Sequence, residues 1–270
     1  VDPEARGTAP VLTWAAWEIS RKDPEAVLVS LHADHAIEPL GDFLDLMRHG
    51  ATAALAGDAL YTVAVPPDRP ETGYGYIQPG RPISSESGIE IVEVQSFVEK
   101  PDRQTAGEYV RAGFLWNSGI FLWRASAFLE EVREVAPELG KHLPLLDQGK
   151  VASFFSKAPV TSVDEAVLER STRVRSLRAT FRWDDVGSWQ ALGRTRSLDA
   201  DGNVFLGKVH GLDARGNIVM AQEGTVVLLG ARDLVVVRSG DVVFVAPRDR
   251  TPEMKSLLEI LPPELRDPDP

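Results

Sequence analysis

Two adjacent carboxylates, Asp184 and Asp185, lie in a short polar segment between two tryptophans. Val186, Gly187 and Ser188 follow, and this composition favours a loop over a helix interior. The alternating segment 173–181 predicts a strand before this loop, and Ser188 is suited to cap a helix after it.

Carboxylates at such a place could hold a divalent cation. Ligands bind at the carboxyl ends of the strands in an open α/β sheet, and Mg²⁺ prefers one or two carboxylates together with substrate phosphate oxygens. One carboxylate of this pair is therefore a candidate metal ligand. The alternative interpretation is a solvated acidic pair above packed tryptophans, because clustered charges mark functional sites only statistically.

A second acidic residue, Asp34, follows a second predicted strand. Residues 26–31 are a short apolar run rich in valine, which is typical of a strand buried on both faces of a parallel sheet. Asp34 comes just past the end of this run and is the second candidate metal ligand, although it could instead cap the next helix. The two histidines around it do not predict zinc, because no third ligand is spaced to complete such a site.

A third candidate is the pair Glu99 and Lys100, which ends the alternating strand predicted over 88–97. The ammonium group of Lys100 is a compact cation suited to a phosphate oxygen, and the carboxylate of Glu99 is suited to sugar hydroxyls. The alternative interpretation is an exposed ion pair at a strand end.

Two further segments combine glycine with polar or aromatic residues. The first consists of Gly73, Tyr74, Gly75 and Tyr76, and the second of Asn117, Ser118 and Gly119. Glycines allow a ligand close to the backbone, and tyrosines can stack on a sugar ring or hydrogen-bond to it. A plain hairpin is the alternative for the first segment, and the second predicts a polar stretch of backbone facing a pocket.

Local signals predict the elements that must position these residues. Thr8 is a suitable N-cap, and Pro10 is tolerated in the first turn of the helix that follows. Asp102 predicts the N-cap of a helix to about residue 112, and Ser162 with Glu165 has capping-box spacing. Further strands are predicted over 60–65 and a helix over 125–135. Such helices alternating with short apolar strands predict an α/β domain with a mostly parallel sheet.

The pattern changes beyond residue 198. Short apolar segments over 199–247 are separated by turn residues every 10 to 15 positions, which predicts a small all-β domain or a short β-solenoid. A closing helix is predicted over 252–261. The predicted domains are 1–197 and 198–262, followed by a tail over 263–270.

The composition excludes several classes of protein. The chain has 270 residues and a net charge of −11, which argues against nucleic-acid or anionic-membrane partners that need a basic surface. The sequence contains no cysteine, so disulfides, thiolate metal sites and thiol nucleophiles are excluded. No apolar run approaches the ~18 residues of a membrane span, and a cytoplasmic location is expected.

In their order along the chain, these motifs resemble those of the sugar-1-phosphate nucleotidylyltransferases, and among them the mannose-1-phosphate guanylyltransferases. The resemblance covers nearly the whole chain. The motifs that carry it are Arg6-Gly7-Thr8-Ala9-Pro10, Ala33-Asp34-His35, Thr72-Gly73-Tyr74-Gly75-Tyr76-Ile77, Phe97-Val98-Glu99-Lys100-Pro101, Asn117-Ser118-Gly119, the helix over 162–169, Asp185-Val186-Gly187-Ser188-Trp189, Gly202-Asn203-Val204 and Asp233-Leu234-Val235-Val236-Val237.

The resemblance implies a Rossmann-like nucleotidyltransferase domain followed by a small β domain. It also implies Mg²⁺ as the cofactor, held by Asp34 and Asp185, with Lys100 as a further catalytic residue. Glu99 and the two glycine-containing segments would surround the sugar phosphate.

By the same resemblance, the nucleotide base would lie near Arg6, Thr8 and Pro10. The implied activity is nucleotidyl transfer from GTP to mannose 1-phosphate, which gives GDP-mannose and pyrophosphate. The alternatives are transfer to another sugar 1-phosphate, such as glucose 1-phosphate, and a non-catalytic remnant that only binds a sugar nucleotide. A homodimer is one possible assembly.

The sequence departs from the family pattern in two places. The family opens with a glycine-rich phosphate loop and a following Pro-Lys pair, and neither stands in this sequence. Such a loop holds phosphates through backbone N–H groups, so residues 1–270 are expected not to make GDP-mannose at a normal rate and to be less stable than a chain that has the loop. Gly7 stands where the family usually has asparagine, which weakens the expectation of guanine.

Overall fold

Helices and strands alternate along residues 3–86, 88–262 and 265, the part of the chain that this computed structural model describes. The chain divides into two compact units, the first Val1–Ala33 with Ile37–Trp183 and the second Asp34–Ala36 with Asp184–Pro270. The domain boundary at 197/198 stays a prediction. The predicted tail over 263–270 lies outside the described residues except at residue 265.

The predicted strand at 60–65 and the predicted helix at 125–135 form at those positions, and the elements up to residue 184 are as follows. The helices are α1 (Thr8–Ser20), α2 (Leu40–Leu55), α3 (Arg103–Arg111), α4 (Ala125–Val135), α5 (Pro137–Gly140), α6 (Leu143–Asp147) and α7 (Val151–Lys157), with a π-helical turn over Asp164–Leu168. The strands are β1 (Val27–Ser30), β2 (Ala36–Glu38), β3 (Leu60–Val65), β4 (Tyr76–Glu86), β5 (Ile89–Val98), β6 (Leu115–Arg124), β7 (Val174–Arg178) and β8 (Arg182–Asp184).

The central sheet has the strand order β1-β6-β3-β7-β5-β4, with a further pairing of β6 with β4. Among the described pairings, β3 and β7 run parallel, while β1–β6, β3–β6, β4–β5, β4–β6 and β5–β7 are antiparallel. The α/β class is as predicted, but these pairings make the sheet mixed. Strand β6 accounts for part of the difference, because it inserts between β1 and β3 and runs opposite to both.

Strand β4 has no counterpart among the predicted strands. It begins at Tyr76, in one of the glycine-containing segments, and the register of its pairing with β5 shifts at Pro79 and Pro82. Proline lacks the N–H that a ladder needs, so these residues conceal the strand pattern. Because β4 ends at Glu86 and β5 begins at Ile89, the short connection joins them as antiparallel neighbours.

Apolar clusters cover both faces of this sheet. Along β6, Phe121 and Trp123 belong to the cluster that includes α1 and α4, whereas Ile120 and Leu122 belong to the cluster that includes α2. Successive side chains of a strand point to opposite faces, so helices pack on each side. Trp123 stacks on Phe128 of α4 with ring centroids 4.4 Å apart.

Strand β1 lies at one end of the sheet and is less buried than predicted. Leu28 is buried, but Val29 is 40% exposed. The reason is its position, because within the described residues β1 pairs with β6 alone.

Short strands, most of them paired in parallel, follow one another through the second unit. They are β9 (Val204–Leu206), β10 (Val209–Leu212), β11 (Ile218–Ala221), β12 (Val226–Leu229), β13 (Leu234–Ser239) and β14 (Val242–Pro247), flanked by α8 (Trp189–Thr195), a 3₁₀ helix (Arg248–Glu253) and α9 (Met254–Ile260). β9, β11 and β13 pair in parallel, as do β10 and β12, and β14 closes antiparallel to β13. This arrangement is the short β-solenoid that the turn spacing predicts.

Buried asparagines stabilise the turns of the solenoid. Asn217 Nδ2 donates to Asn203 Oδ1 at 3.0 Å and to the Ala231 carbonyl at 3.0 Å, while Asn203 Nδ2 donates to the Ala214 carbonyl at 2.9 Å. The Ala231 carbonyl also accepts from the Arg215 N–H at 2.9 Å, so these bonds pair the buried amide groups themselves and connect successive turns of the solenoid.

Candidate active site

Four of the predicted site residues come together in the first unit: Gly75, Glu99, Lys100 and Asn117. The side chain of Asn117, on β6, is held by two hydrogen bonds. Thr62 Oγ1 on β3 donates to Asn117 Oδ1 at 2.9 Å, and Asn117 Nδ2 donates to Asp164 Oδ1 at 2.7 Å. The backbone N–H of Asn117 donates to the Gly75 carbonyl at 2.8 Å. These bonds fix the orientation of the amide group.

Glu99 and Lys100 follow β5 and complete this group. Lys100 Nζ donates to Glu99 Oε1 at 2.6 Å, and the lysine side chain is 64% exposed. A Cβ atom on Gly75 would lie 2.6 Å from Glu99 Oε2 and 3.5 Å from the Cβ of Asn117. A side chain at position 75 would therefore force the Glu99 carboxylate away from the backbone before β4.

Three acidic residues that the sequence analysis did not assign to the site also belong here. Asp164, Glu165 and Glu169 lie on or next to the π-helical turn. The capping-box spacing of this segment indicated only a helix start, and Ser162 Oγ does accept from the Glu165 N–H at 3.2 Å. Nothing in the local pattern marks Asp164, because its contact with Asn117 joins residues distant in sequence.

Charge and burial set the protonation of this cluster. The hydrogen bond to Glu99 and its negative charge raise the pKa of Lys100, with smaller contributions from Asp164 and Glu165. Burial raises the pKa of Asp164 against the opposing hydrogen bond from Asn117, and burial also raises the pKa of Glu169. Lys100 therefore keeps its charge at neutral pH, while Asp164 is the carboxylate that burial disfavours in its ionised form.

Asp164→Asn should remove a pH-dependent destabilisation. A carboxyl whose pKa is raised on folding binds more protons in the folded state, so its contribution to the free energy of unfolding falls as pH rises from the unfolded pKa of about 3.9 through the folded pKa. Asparagine cannot ionise, and its Oδ1 can still accept from Asn117. We expect the melting temperature of the variant to exceed that of the wild type near neutral pH and the difference to vanish towards about pH 4.

Asp102→Asn is a control of opposite sign. Hydrogen bonds from the Thr105 backbone N–H lower the pKa of Asp102, which caps α3 as predicted, so its removal should lower the melting temperature most at neutral pH. A difference between Asp164→Asn and the wild type that is constant with pH would contradict the assignment.

Two residues that are neither glycine nor Asx adopt positive φ beside candidate site residues. Lys100 has φ 45° and Val186 has φ 50°, while the other described non-glycine cases are Asp213 and Asp233. A positive φ is uncommon for lysine and an outlier for a β-branched residue. Such strain persists where the surrounding structure imposes it, and it concentrates at functional sites.

The segment 6–10 is held by the chain that leads into Asp164. Thr8 is the first residue of α1 and not its cap, because its Oγ1 accepts from the Val163 backbone N–H at 2.9 Å and the N-cap position is taken by Gly7. Gly7 has φ 83°, and a Cβ there would lie 2.4 Å from the Thr161 carbonyl oxygen. This backbone does not accommodate the asparagine that the family usually has.

The remaining residues of this segment pack against the same region. Arg6 Nη2 donates to the Ser156 carbonyl at 3.2 Å and pairs with Glu4 at 2.7 Å, while Pro10 is buried. The role of Arg6, Thr8 and Pro10 next to a nucleotide base stays a prediction.

The side chains of the two glycine-containing segments are mostly in the core. Tyr74 packs edge-on against Trp116 with ring centroids 5.2 Å apart, and the Tyr76 hydroxyl donates to the Glu71 carbonyl at 2.9 Å. Ser118 is buried, and its hydroxyl donates to the Val63 carbonyl at 2.8 Å.

The glycines of these segments lie against other side chains. The Gly73 N–H donates to Glu71 Oε1 at 3.2 Å, and Gly119 lies against the His32 ring. The substrate-binding role of both segments stays a prediction.

The two central aspartates of the Trp-Asp-Asp-Val-Gly segment have different surroundings. Asp184 is buried and accepts from Arg194 at 2.6 Å and 3.1 Å, whereas Asp185 is half-buried and accepts from the Gly187 N–H at 3.1 Å. Ser188 caps α8 by accepting from the Ala191 N–H, as predicted. Asp184 therefore has a structural role, and Asp185 is the candidate ligand.

Asp34 belongs to the same unit as Asp185. Strand β2 begins two residues after Asp34, strand β8 ends one residue before Asp185, and these strands form a two-stranded sheet. One ligand atom each of His32, Asp34 and His35 lies within 4.8 Å of the others. The expectation that no third ligand lies near the two histidines is therefore wrong, because a carboxylate oxygen of Asp34 lies within 4.8 Å of a ligand atom of each.

Comparison with known protein families identifies the family of this chain. Residues 1–201 match the profile of the nucleotidyl transferase family. The chain belongs to the nucleotidyl transferase family. Residues 207–261 match a second profile, the mannose-phosphate isomerase/GMP-like β-helix domain, which agrees with the solenoid of the second unit.

Relatives within the nucleotidyl transferase family support the resemblance to mannose-1-phosphate guanylyltransferases. The chain is 36% identical to the mannose-1-phosphate guanylyltransferase of Escherichia coli K12 over 96% of its own length and 56% of the relative. It is 35% identical to the alginate biosynthesis protein AlgA of Pseudomonas aeruginosa over 97% of its length and 56% of the relative. The chain thus spans a little over half the length of these curated relatives.

A solved structure shows the same fold. A crystal structure from Thermus thermophilus, described as a mannose-1-phosphate geranyltransferase, is 33% identical, with a TM-score of 0.87 over 96% of this chain and 76% of that one. The predicted combination of a nucleotidyltransferase domain and a small β domain is confirmed. Within the described residues, no helix is both long and apolar enough to cross a bilayer.

Proposed function

We propose that this protein transfers a guanylyl group from GTP to mannose 1-phosphate, giving GDP-mannose and pyrophosphate. The observation that carries the proposal is the group formed by Gly75, Glu99, Lys100 and Asn117, which combines hydroxyl-binding groups with one exposed ammonium. The names and identities of the relatives support the choice of mannose 1-phosphate and GTP.

The reaction needs no protein nucleophile. A phosphate oxygen of mannose 1-phosphate forms a bond to the α-phosphorus of GTP, the bond from that phosphorus to the bridging oxygen breaks, and pyrophosphate leaves with the electron pair. The protein contributes positioning and charge neutralisation. Lys100 supplies a local positive charge to the sugar phosphate, and Glu99 accepts hydrogen bonds from sugar hydroxyls.

Asp34 and Asp185 fit the chemistry of a magnesium site. Both offer hard carboxylate oxygens, Asp34 is exposed, and Asp185 is half-buried, so ligand atoms and solvent can share the ion as Mg²⁺ requires. When bound, Mg²⁺ would neutralise phosphate charge, which a chain of net charge −11 otherwise repels. In this proposal the two aspartates hold the ion.

The direct test is an assay of pyrophosphate release from GTP with mannose 1-phosphate and Mg²⁺, with glucose 1-phosphate as the competing acceptor, on a chain that also carries the family's glycine-rich phosphate loop. Release that depends on mannose 1-phosphate supports the proposal. Preference for glucose 1-phosphate would favour the other sugar, and calorimetric binding of GDP-mannose without any turnover would favour the binding-only alternative.

Lys100→Ala should weaken the sugar end of the site selectively. A charge-assisted hydrogen bond contributes about 1.5–3 kcal/mol, so we expect the KM for mannose 1-phosphate to rise by about tenfold or more, with a smaller rise for GTP. The measurement is steady-state kinetics with each substrate varied in turn. Lys22→Ala, an exposed lysine outside the group, is the control, and an equal or larger rise for GTP would place Lys100 at the other end.

A cytoplasmic location and a homodimeric assembly remain predictions from the sequence. Gly7 replaces the usual asparagine and its backbone conformation excludes a larger residue, so in this proposal guanine is bound without an asparagine side chain at position 7.

A further inference from the structure

A cavity of about 680 Å³ lies wholly within the second unit, and none of the residues predicted for the reaction line it. Its volume is within the range of about 300–1,000 Å³ typical of small-molecule sites. Three arginines line it, Arg194 from α8, Arg232 before β13 and Arg248 after β14. A cavity with three guanidinium groups is notable in a chain of net charge −11.

These arginines differ in how much of their hydrogen-bonding capacity the protein uses. Arg194 is held by Asp184 through two hydrogen bonds of 2.6 Å and 3.1 Å. Arg248 Nη1 donates to the Gly216 carbonyl at 2.8 Å, and Arg232 makes no side-chain hydrogen bond or ion pair with any described residue. A guanidinium has five N–H donors, so most donors of Arg232 and Arg248 are available to a ligand.

The position of Arg248 is built into the fold. Its Nη2 would lie 3.2 Å from a Cβ atom on Gly193, so the glycine of α8 makes room for the guanidinium. Gln190 Nε2 donates to the Arg248 carbonyl at 2.9 Å. The Gln190 bond holds the backbone of Arg248 and the Nη1 bond to Gly216 restrains its guanidinium, so the side chain loses less conformational entropy when it binds a ligand.

We propose that this cavity binds a small phosphate-bearing anion through Arg232 and Arg248. Guanidinium groups match the oxygens of phosphate in geometry and charge. Asp233 and Asp249 also line the cavity, and neither forms an ion pair with its three arginines, although the negative charge of Asp249 contributes to raising the pKa of Arg250. Their negative charge weakens anion binding, so removing one of them should strengthen it.

The first experiment locates the site on the intact protein without Mg²⁺. Hydrogen–deuterium exchange is followed with inorganic phosphate and, separately, with pyrophosphate. Phosphate should protect the peptides that contain 190–194, 232–234 and 247–249. The inorganic phosphate arm separates this cavity from the proposed active site, whose product is pyrophosphate.

The second experiment measures affinity for inorganic phosphate by titration calorimetry. Arg232→Gln should lower the affinity about tenfold, as expected for loss of a charge-assisted hydrogen bond, and it should fold normally because no described contact depends on the side chain. Asp249→Asn should raise the affinity by about twofold to threefold through removal of a like charge.

Arg196→Gln is the matched control. Arg196 is an exposed arginine of the same unit that lies outside the cavity and makes no side-chain hydrogen bond or ion pair with a described residue. Its replacement removes the same charge and should leave the affinity within about twofold. The proposal is overturned if phosphate protects none of the three peptides, if Arg232→Gln leaves the affinity unchanged, or if Arg196→Gln lowers it as much.

Discussion

Asp185→Asn and Asp34→Asn, each made in a chain that carries the family's glycine-rich phosphate loop, are expected to lower turnover by about 100-fold or more, which corresponds to about 2.7 kcal/mol of lost transition-state stabilisation. Asparagine keeps an oxygen that can accept from the Gly187 N–H, so Asp185→Asn should fold. The loss comes from the weaker attraction of a neutral amide for Mg²⁺. Steady-state kinetics over a range of Mg²⁺ concentrations should show a higher half-saturating concentration in each variant.

A control and a second readout separate this loss from damage to the fold. Asp241→Asn changes the same charge at an exposed position of the same unit and should keep turnover within about twofold. Binding of Mn²⁺, followed by its paramagnetic resonance signal, should weaken in Asp34→Asn and Asp185→Asn and not in the control. Normal turnover in either aspartate variant would remove that residue from the proposed metal site.

Arg173→Met is expected to destabilise the protein by about 2–4 kcal/mol. Glu131 on α4 is only 2% exposed, and its Oε2 lies 3.1 Å from Arg173 Nε. Removing the cation leaves a buried carboxylate without its charge partner, which costs far more than losing a surface pair. The value is below that for a fully buried pair because Arg173 is 37% exposed and partly screened by solvent.

Chemical denaturation of two further variants tests the mechanism. Glu131→Gln in the Arg173→Met background should recover part of the loss, because a neutral amide costs less to bury. Arg81→Met removes an arginine that is 86% exposed and pairs with Glu93, and it should leave the free energy of unfolding nearly unchanged because solvent screens the pair. A loss in Arg173→Met as small as that in Arg81→Met would show that the buried carboxylate is stabilised by other groups.

The sequence alone determined the features that depend on neighbouring residues. Asp102 and Ser188 cap α3 and α8 because a short polar side chain reaches the N–H groups of the next turn. The turn spacing beyond residue 198 predicted the solenoid, since each strand and its turn form one repeating unit. The order of short motifs was enough for the family, whose profile matches residues 1–201.

Strand direction and the composition of the site were decided only by tertiary structure. The prolines of β4 concealed a strand that pairs with β5 and β6, and the antiparallel course of β6 has no local signal in its residues. Asp164 joins the site through one hydrogen bond to Asn117, 47 positions away. Asp184 and Asp185 are adjacent and chemically identical, yet the fold buries one against Arg194 and leaves the other half-buried. Such differences depend on which distant groups come close in the fold, and a residue's type and its neighbours in sequence do not contain that information.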